Sequence, residues 1–157
     1  MPASPTARTL ALDLGTRTGW AIGDRNIAPV FGTLDLRGGR YEGGGMRFLR
    51  FRKHLHELLA GHLLVRRVVY EEVRRHLGTD AAHVYGGLMA VLQEECELRK
   101  LPYEGIPVGT IKKHATGKGN ANKQQMLTAA ACKWAFVKDD NQADALWLLD
   151  YVLEGSE

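Results

Sequence analysis

Cysteine is scarce in this chain: Cys96 and Cys132 are the only two in 157 residues. Each falls in a stretch with helical patterning, and neither stands in a Cys-x-x-Cys or Cys/His arrangement. That excludes a structural zinc module and leaves a reducing, cytoplasmic setting as the expectation. Long apolar runs are missing too. Nothing approaches the roughly 20 residues that span a bilayer, and the opening MPASPTAR is short, polar and without an apolar signal core. No repeat or low-complexity tract interrupts the chain. We therefore expect one soluble domain over residues 1–157, frayed over residues 1–7 and not associated with a membrane.

Hydrophobic residues make up 45% of the sequence, enough for a single sizeable core, and 18 glycines leave room for tight turns. The net charge is only +3, but its distribution is uneven. Residues 99–138 carry eight Lys/Arg against the single acid Glu104, a formal +7. Such asymmetry suits a phosphate-facing surface, with a merely solvated basic face as the plainer alternative.

Apolar patterning predicts the element order. Thr9–Leu14 and Gly19–Ile22 read as a hairpin around a Gly/Thr turn, with a third strand over Ile27–Leu36. The segment RGGRYEGGG (37–45) reads as a mobile loop. Phe48, Phe51, Leu55, Leu58 and Leu59 mark one face of a helix from Met46 to about Leu63. Val65–Tyr70 suits a central strand ending at Glu71, and Ala81, Val84, Leu88, Val91 and Leu98 support a helix over Asp80–Lys100. Tyr103–Val108 reads as a strand and Thr110–His114 as a helical turn. Asn122 with Gln125 three residues on resembles a capping box, opening a helix to about Phe136. A last helix is expected from near Asn141 to Leu153. The order implies an α/β fold, a mixed five-stranded sheet with helices on its faces.

Three carboxylates resist explanation by packing: Asp13 within LALDLG, Glu71 at the end of VVYEE, and Asp144 within NQADALW. An acid in a buried strand costs several kcal/mol unless it is paired or bound to metal. On an alternating strand Asp13 points away from both Leu12 and Leu14. Each acid also has a bland reading: an edge-strand Asp, a solvated strand end beside Glu72, or a helix N-terminal acid favoured by the macrodipole. Together, on a first strand, a central strand and a late helix, they suit Mg²⁺, which takes oxygen ligands on rigid elements. Two such ions can activate water and stabilise the leaving oxygen of a phosphodiester. Lys112, Lys113, Lys118 and Lys123, around a Gly-rich turn, are candidates for the phosphate backbone.

On these residues the chain resembles the RuvC family of Holliday-junction resolvases, which have the ribonuclease H-like fold. Asp13-Leu14-Gly15-Thr16-Arg17-Thr18-Gly19 follows that family's Asp-x-Gly-(Ser/Thr)-x-x-x-Gly turn with one residue fewer. Val68-Val69-Tyr70-Glu71 resembles its strand-plus-Glu element, Ala143-Asp144-Ala145-Leu146 its closing helix, and GKGNANK its lysine-bearing loop. The resemblance implies metal ligation by Asp13, Glu71 and Asp144, with Mg²⁺ the metal and Mn²⁺ a substitute. It implies DNA contact or catalytic assistance from Lys112 and Lys123, and a homodimer acting on four-way or other branched DNA. Two positions depart from the family. Its fourth acid, three residues before the last Asp, is Asn141 here, so either Asp140 or Asn141 completes the site. Arg74 stands where many bacterial members carry a stacking aromatic, and a guanidinium can also stack on a base. The compact length is similar to the phage or prophage branch.

Other readings are a YqgF-like nuclease acting on RNA, whose opening ALDLGTRTGWAI also resembles, and a non-catalytic nucleic-acid-binding module of the same fold. An actin-like ATP-handling domain is suggested by the DLGT turn but needs two lobes and a longer chain. Trp20, Trp134 and Trp147 read as core. His114 reads either as a catalytic or phosphate-binding helper or as a solvated side chain, and Phe48 and Phe51 with the Gly-rich loop as a DNA-contact flap.

Overall fold

The computed structural model describes residues 6–61, 64–76 and 78–155. Five strands, β1 (Arg8–Asp13), β2 (Arg17–Gly23), β3 (Val30–Asp35), β4 (Val65–Glu72) and β5 (Tyr103–Pro107), form one sheet in the order β3-β2-β1-β4-β5. β1, β2 and β3 pair antiparallel, whereas β4 runs parallel to β1 and β5 parallel to β4. The helices are α1 (Met46–Gly61), α2 (Thr79–Arg99), α3 (Val108–Thr116), α4 (Lys123–Lys133) and α5 (Asp140–Glu154). The expected mixed five-stranded α/β sheet is therefore present.

Strand alternation sorts the core into two layers. Leu10, Leu12, Val68 and Tyr70 face one way, onto Phe51, Leu55 and Leu58 of α1 and Tyr85, Leu88 and Leu92 of α2. Ala11, Ala21 and Val69 face the other way, onto Ile111, Met126, Ala130 and the apolar residues of α5. Asp13 and Glu71 share the parity of Ala11 and Val69. Both acids thus emerge at the carboxyl ends of neighbouring parallel strands, on the face covered by α5.

The sheet faces small residues toward α5, and that helix is buried around most of its circumference: Gln142, Ala143, Ala145–Leu149 and Val152 are all buried. Such a helix belongs between two layers, here the sheet on one side and α3 and α4 on the other. On the opposite face, the buried Glu95 of α2 ties α1 in place. Its carboxylate lies 2.6 Å from Arg52 Nη1 and 3.1 Å from His56 Nε2, with Arg99 3.7 Å away.

Several boundaries differ from the sequence reading. β3 begins at Val30 rather than Ile27, because Pro29 cannot donate to the ladder. α1 ends at Gly61, and the expected end near Leu63 lies outside the described residues, as do residues 1–5 of the expected frayed segment. Leu98 is 71% exposed, since the buried face of α2 continues at four-residue steps through Leu88, Leu92 and Cys96. α4 stops at Lys133, before Phe136, whose φ of 69° is left-handed and cannot continue a helix. The Asn122/Gln125 capping box is present, with Asn122 Oδ1 accepting from Gln125 N at 2.8 Å and Gln125 Oε1 from Asn122 N at 2.9 Å.

Glu95→Ala removes the acceptor shared by Arg52, His56 and Arg99 and should lower stability by about 1–3 kcal/mol. Urea unfolding monitored by circular dichroism checks this, with Glu94→Ala, which removes only an exposed partner of Arg52, expected near neutral.

Candidate metal centre and nucleic-acid interface

Three local devices set the geometry of the acids. In the hairpin turn, the buried Thr18 hydroxyl donates to the Gly15 carbonyl at 2.8 Å, holding Leu14–Thr16 beside the end of β1. At the end of β4, the Tyr85 hydroxyl donates to the Glu71 carbonyl at 2.8 Å and accepts from Val73 N at 3.1 Å. At the start of α5, Asp139 is the N-cap. Its Oδ1 accepts from Gln142 N at 2.8 Å, and its carboxylate accepts from Thr33 Oγ1 of β3 at 3.0 Å.

Gly19 decides how closely α5 approaches. It pairs with Asp13 across the hairpin, and a Cβ at this position would overlap the backbone carbonyl of Asn141. The first turn of α5 therefore rests directly on β2 with no side-chain layer between. As a result Asp13, Glu71 and Asp144 each offer a carboxylate oxygen within 4.8 Å of the others. An open cleft of about 380 Å³ meets this cluster, lined by Asp13, Gly15, Arg17, Lys123, Asp140 and Asp144, with Leu14, Thr16 and Asn141.

Burial and mutual repulsion dominate the electrostatics. Asp13 is raised well above the ordinary carboxylate value, first by burial and then by the charges of Glu71 and Asp144. Asp144 is pushed up to about 7 by burial and by Glu71 and Asp140, against the opposing pull of Lys112 and Lys123. Glu71 is raised by burial, partly offset by its hydrogen bond with Asp13 and by Lys112. Oxygen donors this close, whose mutual repulsion a bound positive charge would relieve, fit a hard divalent cation. None of the local hydrogen bonds described above neutralises the three acids.

The remaining predicted residues divide by position. Asp140 and Asn141 both line the cleft, so the choice between them is not forced by placement. Lys123 stands at the start of α4, exposed, with its Nζ 3.6 Å from Asp140 Oδ2. Lys112 acts on Glu71 and Asp144 through its charge. Lys113 and Lys118 are exposed on α3 and the following loop. Arg74 lies beyond β4, exposed, with Nε 3.5 Å from Glu72.

No protein-family model matches the chain, and no curated protein matches it in sequence. Solved structures do. A structure of T. thermophilus RuvC in complex with Holliday junction substrate superposes with a TM-score of 0.76 at 16% identity, covering 96% of this chain and 97% of that one. Another Thermus thermophilus RuvC structure gives 0.73 at 18% identity, covering 95% and 97%. The chain has the RuvC fold. The yeast mitochondrial Holliday junction resolvase Ydc2 gives 0.60 at 16% identity, covering 94% of this chain and 78% of that one.

Within this RuvC fold, some sequence expectations need correction. α5 begins at Asp140, with Asp139 as cap, so Asp144 sits in the second turn, where the macrodipole no longer accounts for it. The signal was legible: Asp139-x-x-Gln142 has capping-box spacing, and Gln142 Oε1 accepts from Lys138 N at 2.9 Å. Phe51 is fully buried and Phe48 packs on the α1–α2 core layer, so neither is a DNA-contact flap. His114 is not a solvated side chain: it is partly buried, and its Nε2 lies 2.9 Å from Oδ2 of Asp150, a residue about 9 Å along α5 from Asp144. His114, Asp150 and Glu154 could offer ligand atoms within 4.8 Å, but Lys133 Nζ, 2.8 Å from Asp150, already neutralises that group and ties α4 to α5. Arg17, exposed at the cleft rim, was not singled out in the sequence, since an Arg after a Gly-Thr turn carries no distinctive pattern. Trp147 is buried; Trp20 and Trp134 are partly buried against the two core layers.

Two outcomes follow from this geometry. Gly19→Ala should cost about 1–3 kcal/mol in urea unfolding, because a backbone carbonyl has to move to admit the methyl group. Asp144→Asn should stabilise the metal-free protein at pH 7 by at least ~1 kcal/mol, the equivalent of one pKa unit. The native carboxyl keeps its proton up to about 7, whereas the unfolded one releases it near 3.8. Stability present below pH 4 is thus lost as pH rises toward 7, and the gain from Asn should vanish at pH 4 in the same measurement.

Proposed function

We propose that the chain is a divalent-metal-dependent endonuclease that resolves four-way and other branched DNA. The observation that carries this reading is the convergence of Asp13, Glu71 and Asp144 to within 4.8 Å, beside an open cleft lined by Asp13, Asp144 and Lys123. T. thermophilus RuvC, whose fold the chain shares, is a protein solved with a Holliday junction substrate.

In this reading Asp13 and Glu71, fixed by the sheet, and Asp144, fixed by α5, hold the metal, with Asp140 and Asn141 enlarging the oxygen set toward a second ion. Mg²⁺ is the expected metal and Mn²⁺ a substitute. Bound metal supplies an activated water and neutralises charge on the leaving oxygen. The protein's own groups do the rest. Lys123, standing over Asp140, places a positive charge where a phosphate enters, and Lys112 lowers the cost of keeping Glu71 and Asp144 ionised together. Lys113, Lys118 and Arg74 face outward and serve the flanking backbone. A homodimer would present two such clefts, one for each cut strand. A cytoplasmic site of action accords with the free thiols of Cys96 and Cys132.

Asp13→Asn should reduce Mg²⁺-dependent cleavage of a four-way junction by at least about 100-fold while leaving junction binding within about twofold. Both are read on gels with labelled DNA, with chelator and Mn²⁺ lanes and a structured RNA alongside. Equal cleavage by variant and wild type would sink the proposal, and wild-type cleavage confined to the RNA would redirect it to an RNA-processing nuclease.

A further inference from the structure

The end of β3 is fastened to the cleft: Leu36 N donates to the Thr16 carbonyl at 2.7 Å, and Thr16 is part of the cleft wall. β2 runs antiparallel to β1, and β3 antiparallel to β2. The carboxyl end of β3 therefore opens at the same edge of the sheet as the acids on β1 and β4. Neighbouring strands are about 4.8 Å apart, so β3 leaves the sheet about 10 Å to one side of Asp13, and β5, which leads into the lysines of α3, about 10 Å to the other.

The chain beyond β3 has the chemistry of a second phosphate-facing surface. Residues 37–53 contain Arg37, Arg40, Arg47, Arg50, Arg52 and Lys53 against one acid, Glu42. Three of the cations are engaged: Arg37 with Asp35, Arg50 with Glu42 and Arg52 with Glu94 and Glu95. Arg40, Arg47 and Lys53 have no acidic partner among the described residues.

Glu42 shapes the tip of this segment. Its carboxylate accepts from Gly39 N at 2.9 Å and from Arg50, which holds it well below the usual carboxylate range, and Glu42 N donates to the Gly39 carbonyl at 3.1 Å. That closes a turn from Gly39 to Glu42 with Arg40 and Tyr41 as its two central residues. Tyr41 is 91% exposed, the most exposed large hydrophobic side chain among the described residues. The Arg40 guanidinium carbon lies 5.6 Å from the Tyr41 ring centroid. An anchored turn presenting a flat ring beside a cation matches single-stranded nucleic acid, whose bases stack on aromatics while its phosphates pair with guanidinium.

We propose that the Arg40–Tyr41 turn is a second nucleic-acid contact, on the β3 side of the cleft. Tyr41 stacks on an unpaired base of the strand leaving the acids, and Arg40 and Arg47 take its phosphates. This rests on the nuclease reading above and adds to it the requirement for an unstacked base on that side. It replaces Phe48 and Phe51, which are packed inward, with a residue that faces solvent.

The test is binding of the full-length protein to a labelled four-way junction without divalent metal, by fluorescence anisotropy over a series of salt concentrations. Tyr41→Ala should weaken binding about 5- to 150-fold, and Tyr41→Phe should restore it, because the ring and not the hydroxyl is used. Arg40→Ala should lower the slope of log affinity against log salt by about one. Urea unfolding of each variant should match wild type, since neither side chain is buried. Wild-type affinity in Tyr41→Ala, or a loss that Tyr41→Phe does not recover, overturns the proposal. So does a variant whose sedimentation shifts from dimer to monomer, which would make the turn a contact between copies. A wild type that neither binds nor cuts branched DNA defeats the nuclease reading itself; one that does both, alongside an unaffected Tyr41→Ala, defeats only this inference.

Discussion

α5 can carry Asp144 to Asp13 and Glu71 only because it lies against the sheet with almost nothing between them. Gly19 leaves the Asn141 carbonyl room, and Ala11 and Ala21 of the sheet with Ala143 of the helix keep the layer thin. A single methyl group at the first of these positions would meet backbone, which cannot rotate away as a side chain can. The architecture on both faces follows from this contact: small residues under α5, large ones under α1 and α2.

That approach has an electrostatic cost. Three acids share a small volume in which burial raises the proton affinity of each, and neighbouring acids raise that of Asp13 and Asp144 further. The fold sustains the strain through contacts that do not touch the acids' carboxylate oxygens: Thr33 and Asp139 at the start of α5, Tyr85 at the end of β4, Thr18 in the hairpin. Farther away, Glu95 with its basic partners and the His114–Asp150–Lys133 group tie helices to one another. Like charge is thus concentrated at one sheet edge, with opposite charge on the segments around it.

Positive charge on both sides of the acids gives the cleft a direction. The α3–α4 lysines leave from the β5 side and the Arg40–Tyr41 turn from the β3 side, both at the carboxyl edge of the sheet. The first group lies in a stretch conspicuous for its charge in the sequence. The second is split among glycines and partly consumed by internal ion pairs, so its free members emerge only from the pattern of partners.

The five strands and the helices were legible because their apolar periods are clean: LAL and VVY alternate across a two-layered sheet, and Phe51, Leu55 and Leu58 repeat at helical spacing. Asp13, Glu71 and Asp144 were legible because an acid at the end of an apolar element is costly and so calls for a partner. The boundaries set by Pro29 and Phe136 were less so, since they depend on backbone geometry. By itself the sequence determined which residues are acidic, which alternate inward, and which surface is basic. Only the tertiary structure decided that Gly19 admits α5, that Phe48 and Phe51 turn inward while Tyr41 turns out, and that His114 serves a helix contact. Those outcomes depend on the packing of residues distant in the chain, which no local pattern encodes.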